Sequence, residues 1–337
     1  MGDGVHAEDR RRPVAVCSTL ISARLRFFRP RRLELVANDE IEEMPGQFPT
    51  LWRRAYLASA RRGLHLNHRV VPAASPPPGD SPPPLVLVHG LFGSASNFGS
   101  LSRRLSKHRS VVLPDLRNHG SSFWDEDCSI EAMAGDLLRL LDTVEAERAV
   151  LCGHSLGGKV AMAAALLAPS RVAQLLVVDI APVAYNSSNK LWQANFTIID
   201  AMHAMPEEVM GNRKAADAAL RDAGVPDAGV RAFLLQNLQP EQQSWRCNLR
   251  SLRDASYRGD VAGFPDHLPP APTTLPTRFI AGRKSPYIMR EYEPAMRHFF
   301  PGAEECGPHV VEAGHWLHAE CPDEFVRLVD DFLHVGE

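Results

Sequence analysis

The sequence lacks the features that mark three classes of protein. Its 337 residues include six scattered cysteines with no Cys-x-x-Cys pair, which argues against a structural zinc site or a thioredoxin-like motif. Scattered cysteines are typical of free thiols in a reducing compartment. No apolar run approaches the ~18 residues of a transmembrane helix. The formal net charge of −3 argues against a nucleic-acid-binding protein. We therefore expect a globular protein without a metal site, a nucleic-acid partner or an integral membrane segment.

The first 62 residues lack acidic side chains over a long stretch. No acidic residue separates Asp9 from Glu34, and arginines are frequent there, as in mitochondrial or chloroplast transit peptides. Acidic residues at the very start fit a basic extension without a targeting role equally well. We expect residues 1–62 to form an arginine-rich N-terminal extension, with a short helix at 51–62. The protein is then mitochondrial or chloroplast-located if the extension is a transit peptide, and cytoplasmic otherwise.

Beyond a proline-rich stretch at 76–84, short apolar runs alternate with helical patterns. The apolar runs predict strands at 85–88, 111–113, 149–152, 175–180, 277–281 and 309–311. The spacing of apolar residues predicts helices at 130–141, 158–168 and 325–333. Strands that alternate with helices indicate an α/β fold with a mainly parallel sheet covered on both faces. Such a sheet binds ligands at the carboxyl ends of its strands.

Residues 185–275 interrupt this alternation. They are largely polar and helical in character, with helices predicted at 215–222 and 230–238. We interpret 185–275 as a helical lid inserted into a core formed by 63–184 and 276–337. The alternative is that the apolar residues of this region pack against the main core.

Residues 153–157 read Gly-His-Ser-Leu-Gly and match the G-x-S-x-G pattern of a nucleophile elbow. The segment follows an apolar strand and precedes an alanine-rich helix, which is the context that the pattern requires. Ser155 is therefore predicted to be a nucleophile on a strained turn, with glycines where side chains would clash. The amino terminus of the helix would face the developing negative charge.

An acyl-transfer reaction needs two hydrogen-bond donors for the oxyanion. The first is predicted to be the backbone N–H of Leu156, which follows the nucleophile. The second should come from the loop after strand 85–88, which reads His-Gly-Leu-Phe-Gly at 89–93. Leu91 is the predicted donor, with Phe92 as the alternative.

The general base is expected late in the chain, because this class of enzyme orders its residues as serine, acid and histidine. His315 follows strand 309–311 and precedes the closing helix, and it is the predicted base. The other late histidines are His298, His309, His318 and His334. Among them His318 is expected to have a structural or supporting role.

The acid is missing from its usual place. The loop after strand 277–281 reads Gly-Arg-Lys-Ser-Pro at 282–286 and contains no carboxylate. Asp179 interrupts an apolar strand, where an unpaired carboxylate is costly, and it is the predicted acid. The alternative is that Asp179 only orders its own loop. Asp115 is interpreted as a loop-ordering residue, and Glu291 and Glu293 are weaker candidates for the acid.

Three segments, 154–159, 177–183 and 314–320, resemble the α/β-hydrolase superfamily. They resemble in particular an esterase branch of small bacterial acyl-ester and acyl-CoA esterases and the animal abhydrolase-domain protein eleven. The resemblance implies the α/β-hydrolase fold and no metal or organic cofactor, and it implies that Asp179 is the acid. Lys159 also belongs to the branch pattern, and we interpret it as a solvated helix residue.

Together these features predict a serine hydrolase that cleaves a carboxylic ester or thioester through a Ser-His-Asp triad and an acyl-enzyme. The expected partner is a small acyl ester or thioester. Three alternatives remain: a small-ligand receptor of the same fold, a carbon–carbon bond hydrolase and an acyltransferase. Fold alone does not select among them.

Overall fold

The structure is a computed structural model that describes residues 64–76, 81–185, 190–303 and 307–334. The predicted N-terminal extension at 1–62, its short helix at 51–62 and the transit-peptide interpretation lie outside the described residues. None of the helices in the described ranges is long and apolar enough to cross a membrane.

A seven-stranded sheet forms the centre of the core. The described strands are β1 (His68–Val71), β2 (Leu85–Val88), β3 (Val111–Pro114), β4 (Ala149–His154), β5 (Val172–Val178), β6 (Leu238–Gln239), β7 (Ser244–Trp245), β8 (Thr277–Gly282) and β9 (His309–Val311). The sheet has the order β1-β3-β2-β4-β5-β8-β9, and β6 pairs separately with β7. Strand β1 is antiparallel to β3, and the other pairs of the large sheet are parallel.

Eleven helices are assigned in the described ranges. They are α1 (Gly99–Leu105), α2 (Ile130–Thr143), α3 (Leu156–Leu167), α4 (Lys190–His203), α5 (Glu207–Met210), α6 (Arg213–Asp222), α7 (Ala228–Leu234), α8 (Leu249–Arg258), α9 (Glu293–Phe299), α10 (Leu317–Glu320) and α11 (Pro322–Leu333). The predicted strands and core helices correspond to these elements with shifts at their ends. Strand β1 and helix α1 were absent from the sequence prediction, because short segments with mixed polarity carry little periodic signal.

Alternation along the strands divides the core into two layers. In β2 the side chains of Val86 and Val88 join one hydrophobic cluster, and those of Leu85 and Leu87 join the other. Successive side chains of a strand point to opposite faces, and here both faces are buried. This explains why the central strands appear in the sequence as continuous apolar runs.

Between β5 and β8 the chain forms a helical insertion, comprising α4–α8 and the β6–β7 pair. Its helices are amphipathic, and their apolar sides join the same cluster as Val86 and Val88. The insertion therefore packs on one layer of the core through a shared apolar interface.

Candidate active site

Ser155 lies at the turn between β4 and α3, in a backbone conformation that residues other than glycine rarely adopt. Its φ and ψ are 53° and −121°. Such a conformation costs on the order of 1–3 kcal/mol and persists only where the surroundings enforce it. Here the Ser155 N–H donates to the carbonyl of Val178 (2.9 Å), and Gly158 N–H donates to the Ser155 carbonyl (2.8 Å). The side chain of Ser155 is half-buried.

Close backbone packing around the turn explains its glycines. A Cβ atom on Gly153 would overlap the backbone of Gly157, and a Cβ atom on Gly157 would overlap the carbonyl of Val88. Neither neighbour can move away, because both belong to the backbone of packed elements. The G-x-S-x-G pattern is therefore required by the packing of β4 and α3 against β2.

Asp179 follows the carboxyl end of β5, as Ser155 follows that of β4, and it also has a positive φ (54°). Its carboxylate is fully buried and accepts three hydrogen bonds. The donors are His315 Nδ1 to Oδ2 (2.6 Å), Gly282 N–H to Oδ1 (3.0 Å) and the Ser285 hydroxyl to Oδ2. A buried carboxylate with this many donors is satisfied in its ionised form.

Ser285 belongs to the 282–286 loop, which contains no acid. Its hydroxyl donates to the same oxygen of Asp179 that His315 contacts. The sequence prediction did not include Ser285. Because the acid was expected elsewhere, a serine hydroxyl in the loop at 282–286 could have been considered as a donor to that acid.

His315 is joined to the Ser155 turn through its neighbour His154. His154 Nε2 donates to the backbone carbonyl of His315 (2.8 Å), and the two imidazole centroids are 4.7 Å apart. Because His315 Nδ1 donates to Asp179, the lone pair of its Nε2 is available as a proton acceptor. The side chain of His315 is 17% exposed, so it remains accessible from the site.

Two further histidines beside His315 are held neutral. Burial lowers the pKa of His154 well below its ordinary value, with further lowering from His318 and His315. Burial also lowers the pKa of His318 to about 3, with a contribution from His315. His318 lies in α10 and packs against Phe98 and His154. Its place agrees with the supporting role expected from the sequence.

The loop after β2 runs directly against the Ser155 turn. A Cβ atom on Gly90 would lie 3.1 Å from Ser155 Cβ, so no larger residue fits without displacement. His89 is oriented by Leu116 N–H, which donates to its Nε2 (2.9 Å), while its Nδ1 donates to the Gly90 carbonyl (2.8 Å). The loop is therefore held rigidly beside the serine.

The two candidate oxyanion donors in this loop lie in different surroundings. Leu91 is half-buried, whereas Phe92 is buried, has a φ of 59° and accepts at its carbonyl from Asn237 Nδ2 (2.7 Å). Leu156, the other predicted donor, is the first residue of α3. The free N–H groups of a helix amino terminus suit a negative charge at this point.

The helical insertion contacts the site at several side chains. Phe233 of α7 lies against Trp316, the neighbour of His315 (ring centroids 5.7 Å apart). Asn195 of α4 donates to the hydroxyl of Tyr287 (3.1 Å), and the Tyr287 ring packs against His315 at a tilt, with ring centroids 4.2 Å apart. These aromatic side chains form an apolar lining beside His315.

The other candidates for the acid lie elsewhere. Asp115 accepts from Asn67 Nδ2, Ala95 N–H and Ser121 N–H (2.7–2.8 Å), so it joins the segments before β1, after β2 and after β3. Glu291 belongs to a short 3₁₀ segment at Arg290–Tyr292, and Glu293 is the first residue of α9. Of the carboxylates considered, Asp179 is the one bonded to His315.

The interpretation of Lys159 as a solvated residue was wrong. Lys159 is 1% exposed, and its amino group donates to the carbonyls of Ala262 and Gly263. The error arose because a lysine on a helix is normally solvated, and the partners that bury it lie about a hundred residues away in the chain.

Comparisons with known proteins agree with this architecture. The model of the alpha/beta hydrolase family matches residues 85–328. The chain is 39% identical over 259 residues to sn-1-specific diacylglycerol lipase ABHD11 of Mus musculus, which covers 74% of this chain and 81% of that protein. It is 36% identical over 257 residues to Esterase YbfF of Escherichia coli (strain K12), which covers 74% of this chain and 93% of that protein.

A solved structure described as a marine microorganism esterase superposes with a TM-score of 0.73 at 30% identity. The alignment covers 80% of this chain and 99% of the esterase. The chain therefore belongs to the alpha/beta hydrolase family, and it is a hydrolase of the esterase and lipase group.

Proposed function

We propose that Ser155, His315 and Asp179 form a catalytic triad that cleaves a carboxylic ester or thioester. The observation that carries this proposal is the 2.6 Å hydrogen bond from His315 Nδ1 to the buried carboxylate of Asp179, beside a serine on a strained turn. A base oriented by a third group next to a nucleophile is the arrangement that activates a hydroxyl.

In the proposed reaction Ser155 Oγ attacks the acyl carbon while His315 Nε2 takes its proton. Asp179 remains ionised, holds the imidazole in this tautomer and stabilises the imidazolium. His315 then protonates the leaving alcohol or thiol, which gives an acyl-enzyme. A water molecule, deprotonated by the same histidine, then adds to the acyl carbon. The bond from that carbon to Ser155 Oγ breaks, His315 returns the proton to Ser155 Oγ, and the carboxylic acid leaves. Burial lowers the pKa of the neighbouring His154 and His318, which favours their neutral forms.

The oxyanion is proposed to accept from the backbone N–H groups of Leu91 and Leu156. The close approach of Gly90 to Ser155 supports this assignment, because it holds the loop after β2 beside the reacting carbon. Donors fixed in advance require no reorganisation during the reaction. Phe92, whose carbonyl accepts from Asn237, is the alternative donor in the same loop.

The substrate class is proposed from the relatives and from the lining. The two relatives are named as a diacylglycerol lipase and an esterase, and Tyr287, Trp316 and Phe233 provide an apolar surface beside His315. These features favour an acyl ester with an apolar acyl or alcohol group over a strongly charged substrate.

The test is steady-state hydrolysis of p-nitrophenyl esters from acetate to palmitate by the wild-type protein and by Ser155→Ala. We expect the variant to lose about 10⁴-fold or more in kcat, because the nucleophile acts as a unit with its base. Trapping of the acyl-enzyme on Ser155 by a fluorophosphonate, detected by mass spectrometry, provides the positive control. Equal turnover by the two proteins would contradict the proposed nucleophile.

A further inference from the structure

Lys159 is a fully buried lysine on the helix that begins at the nucleophile. It lies in the first turn of α3, four residues after Ser155, and is 1% exposed. Burying an amino group is costly unless its hydrogen-bond donors are satisfied. Burial lowers the pKa of Lys159 well below its ordinary value. The partners that compensate this cost therefore indicate what the residue does.

The partners of Lys159 are the ones that an ammonium group prefers. Its Nζ donates to the carbonyls of Ala262 and Gly263 (2.8 Å to Gly263) and lies 4.7 Å from the centre of the Tyr185 ring. Carbonyl oxygens accept hydrogen bonds from the amino group, and the negative face of an aromatic ring attracts its N–H bonds. The amino group thus fills a site with three partners.

These partners lie where the helical insertion leaves the core and returns to it. Tyr185 precedes α4, and Ala262 and Gly263 follow α8. The two ends are also bonded to each other, because Tyr185 N–H donates to the Ala262 carbonyl (3.0 Å). Lys159 therefore ties both ends of the insertion to the helix that carries the nucleophile.

The same junction is connected to His315. The Tyr185 hydroxyl donates to the backbone carbonyl of Tyr287 (2.5 Å), and it accepts from Ala181 N–H (3.1 Å). The Tyr287 ring packs against His315, and its hydroxyl accepts from Asn195 of the insertion. The base, the insertion and the nucleophile helix consequently share one set of contacts.

We propose that Lys159 is a positioning residue that fixes the helical insertion over the active site and thereby determines which acyl chains reach Ser155. The selectivity part of this inference rests on the proposed ester hydrolysis. Without the amino group, the ends of the insertion lose their attachment to α3, while the Ser155 turn keeps its backbone hydrogen bonds. Short acyl groups then react almost as before, whereas long acyl groups lose the surface against which they bind.

The experiment compares Lys159→Met, which keeps the length of the side chain and removes its donors, with the wild-type protein. Amide hydrogen exchange is expected to accelerate about tenfold in α4–α8 and to remain unchanged in β4 and β5. In parallel, kcat/KM is expected to fall about tenfold for p-nitrophenyl palmitate, mainly through KM, and less than twofold for the acetate.

Tyr185→Phe is the matched control, because it removes the hydroxyl contacts and keeps the ring beneath Lys159. It should leave exchange in α4–α8 near that of the wild type. If Lys159→Met does not fold, Lys159→Gln decides instead, because its amide can donate to one carbonyl and a smaller acceleration in the insertion is expected.

Unchanged exchange in α4–α8, or equal acceleration throughout the described chain, would overturn the positioning role. An equal loss of activity at every chain length would overturn the effect on selectivity. If the wild-type protein hydrolyses none of these esters, the proposed function fails, and the exchange measurement still decides whether Lys159 holds the insertion.

Discussion

The carboxyl ends of the central strands and the helical insertion hold the residues of the proposed active site by different means. After the carboxyl ends of β4 and β5, the backbone N–H groups of Ser155 and Asp179 donate to the carbonyls of Val178 and Ile280, respectively (2.9 and 2.8 Å). The insertion reaches the site through individual side chains, such as Asn237, which donates to the Phe92 carbonyl. Backbone bonds of the sheet do not depend on side-chain identity, whereas each contact of the insertion depends on one residue.

This difference predicts a division of roles. Substitutions at the carboxyl ends of β4 and β5 should change the rate for every substrate, because they alter the proposed reacting groups. Substitutions in the insertion should change which substrates are accepted, because its side chains contact Trp316 and Tyr287 beside the proposed reacting groups.

The largest effect is expected for Asp179→Asn. The amide can no longer accept from His315 Nδ1 as a carboxylate does, so the imidazole loses its productive tautomer. We expect kcat to fall by about 10⁴-fold for every ester, as for the buried aspartate of serine proteases. Steady-state kinetics over the p-nitrophenyl series measures the loss.

Asp115→Asn is the matched control for Asp179→Asn. Asp115 is also a buried carboxylate after a parallel strand with three N–H donors, but it orders loops and does not contact His315. We expect Asp115→Asn to lower the free energy of unfolding and to keep kcat within about tenfold. Similar losses of kcat for the two variants would argue that Asp179 acts only on loop structure.

Glycine substitutions at the Ser155 turn and in the insertion should lower the free energy of unfolding by different amounts. In Gly157→Ala the new methyl group overlaps the Val88 carbonyl, and we expect a loss of about 3 kcal/mol. In Gly259→Ala, at the end of α8, no atom lies within 4 Å, and only the positive φ of 89° opposes the change. A loss of about 1 kcal/mol is expected there. Urea denaturation measures both values, and equal losses would contradict this account.

Acid should destabilise the core through its buried histidines. Burial lowers the pKa of His119 and of His318 to about 3, from an ordinary value of 6.5. Below pH 6.5 the unfolded chain binds protons that the folded protein does not, so stability declines as the pH falls towards 3. Each residue contributes about 1.4 kcal/mol per pH unit to this decline. His318→Leu should reduce the slope by that amount in urea titrations between pH 6 and 4. An unchanged slope would contradict the burial of a neutral imidazole.

Ser285→Ala is expected to lower kcat far less than Asp179→Asn. It removes one of three donors to Asp179 and leaves His315 and Gly282 in place. We expect kcat to fall about tenfold with little change in KM. Ser285→Thr, which keeps the hydroxyl, should retain most of the activity. A loss in KM alone would place Ser285 in substrate binding instead.

Local sequence patterns were enough to predict much of the fold. The central strands appear as continuous apolar runs because both of their faces are buried. The apolar residues of α2 and α11 recur with helical spacing because one side of each helix faces the core. The segment 153–157 predicted a strained turn, because glycines at both ends of a tight turn avoid side-chain clashes between residues that are close in sequence. The acid-free loop at 282–286 pointed to Asp179, which the structure brings within 2.6 Å of His315.

The remaining features depend on contacts between distant parts of the chain. Ser285 and Asp179 are separated by 106 residues, and Lys159 and Ala262 by 103. A lysine on a helix is solvated by default, and only the return of the insertion buries Lys159 against two carbonyls and an aromatic ring. Short-range patterns thus determined the elements and the nucleophile turn. Which side chains surround that turn was decided by tertiary packing, because such partners carry no periodicity and no local spacing.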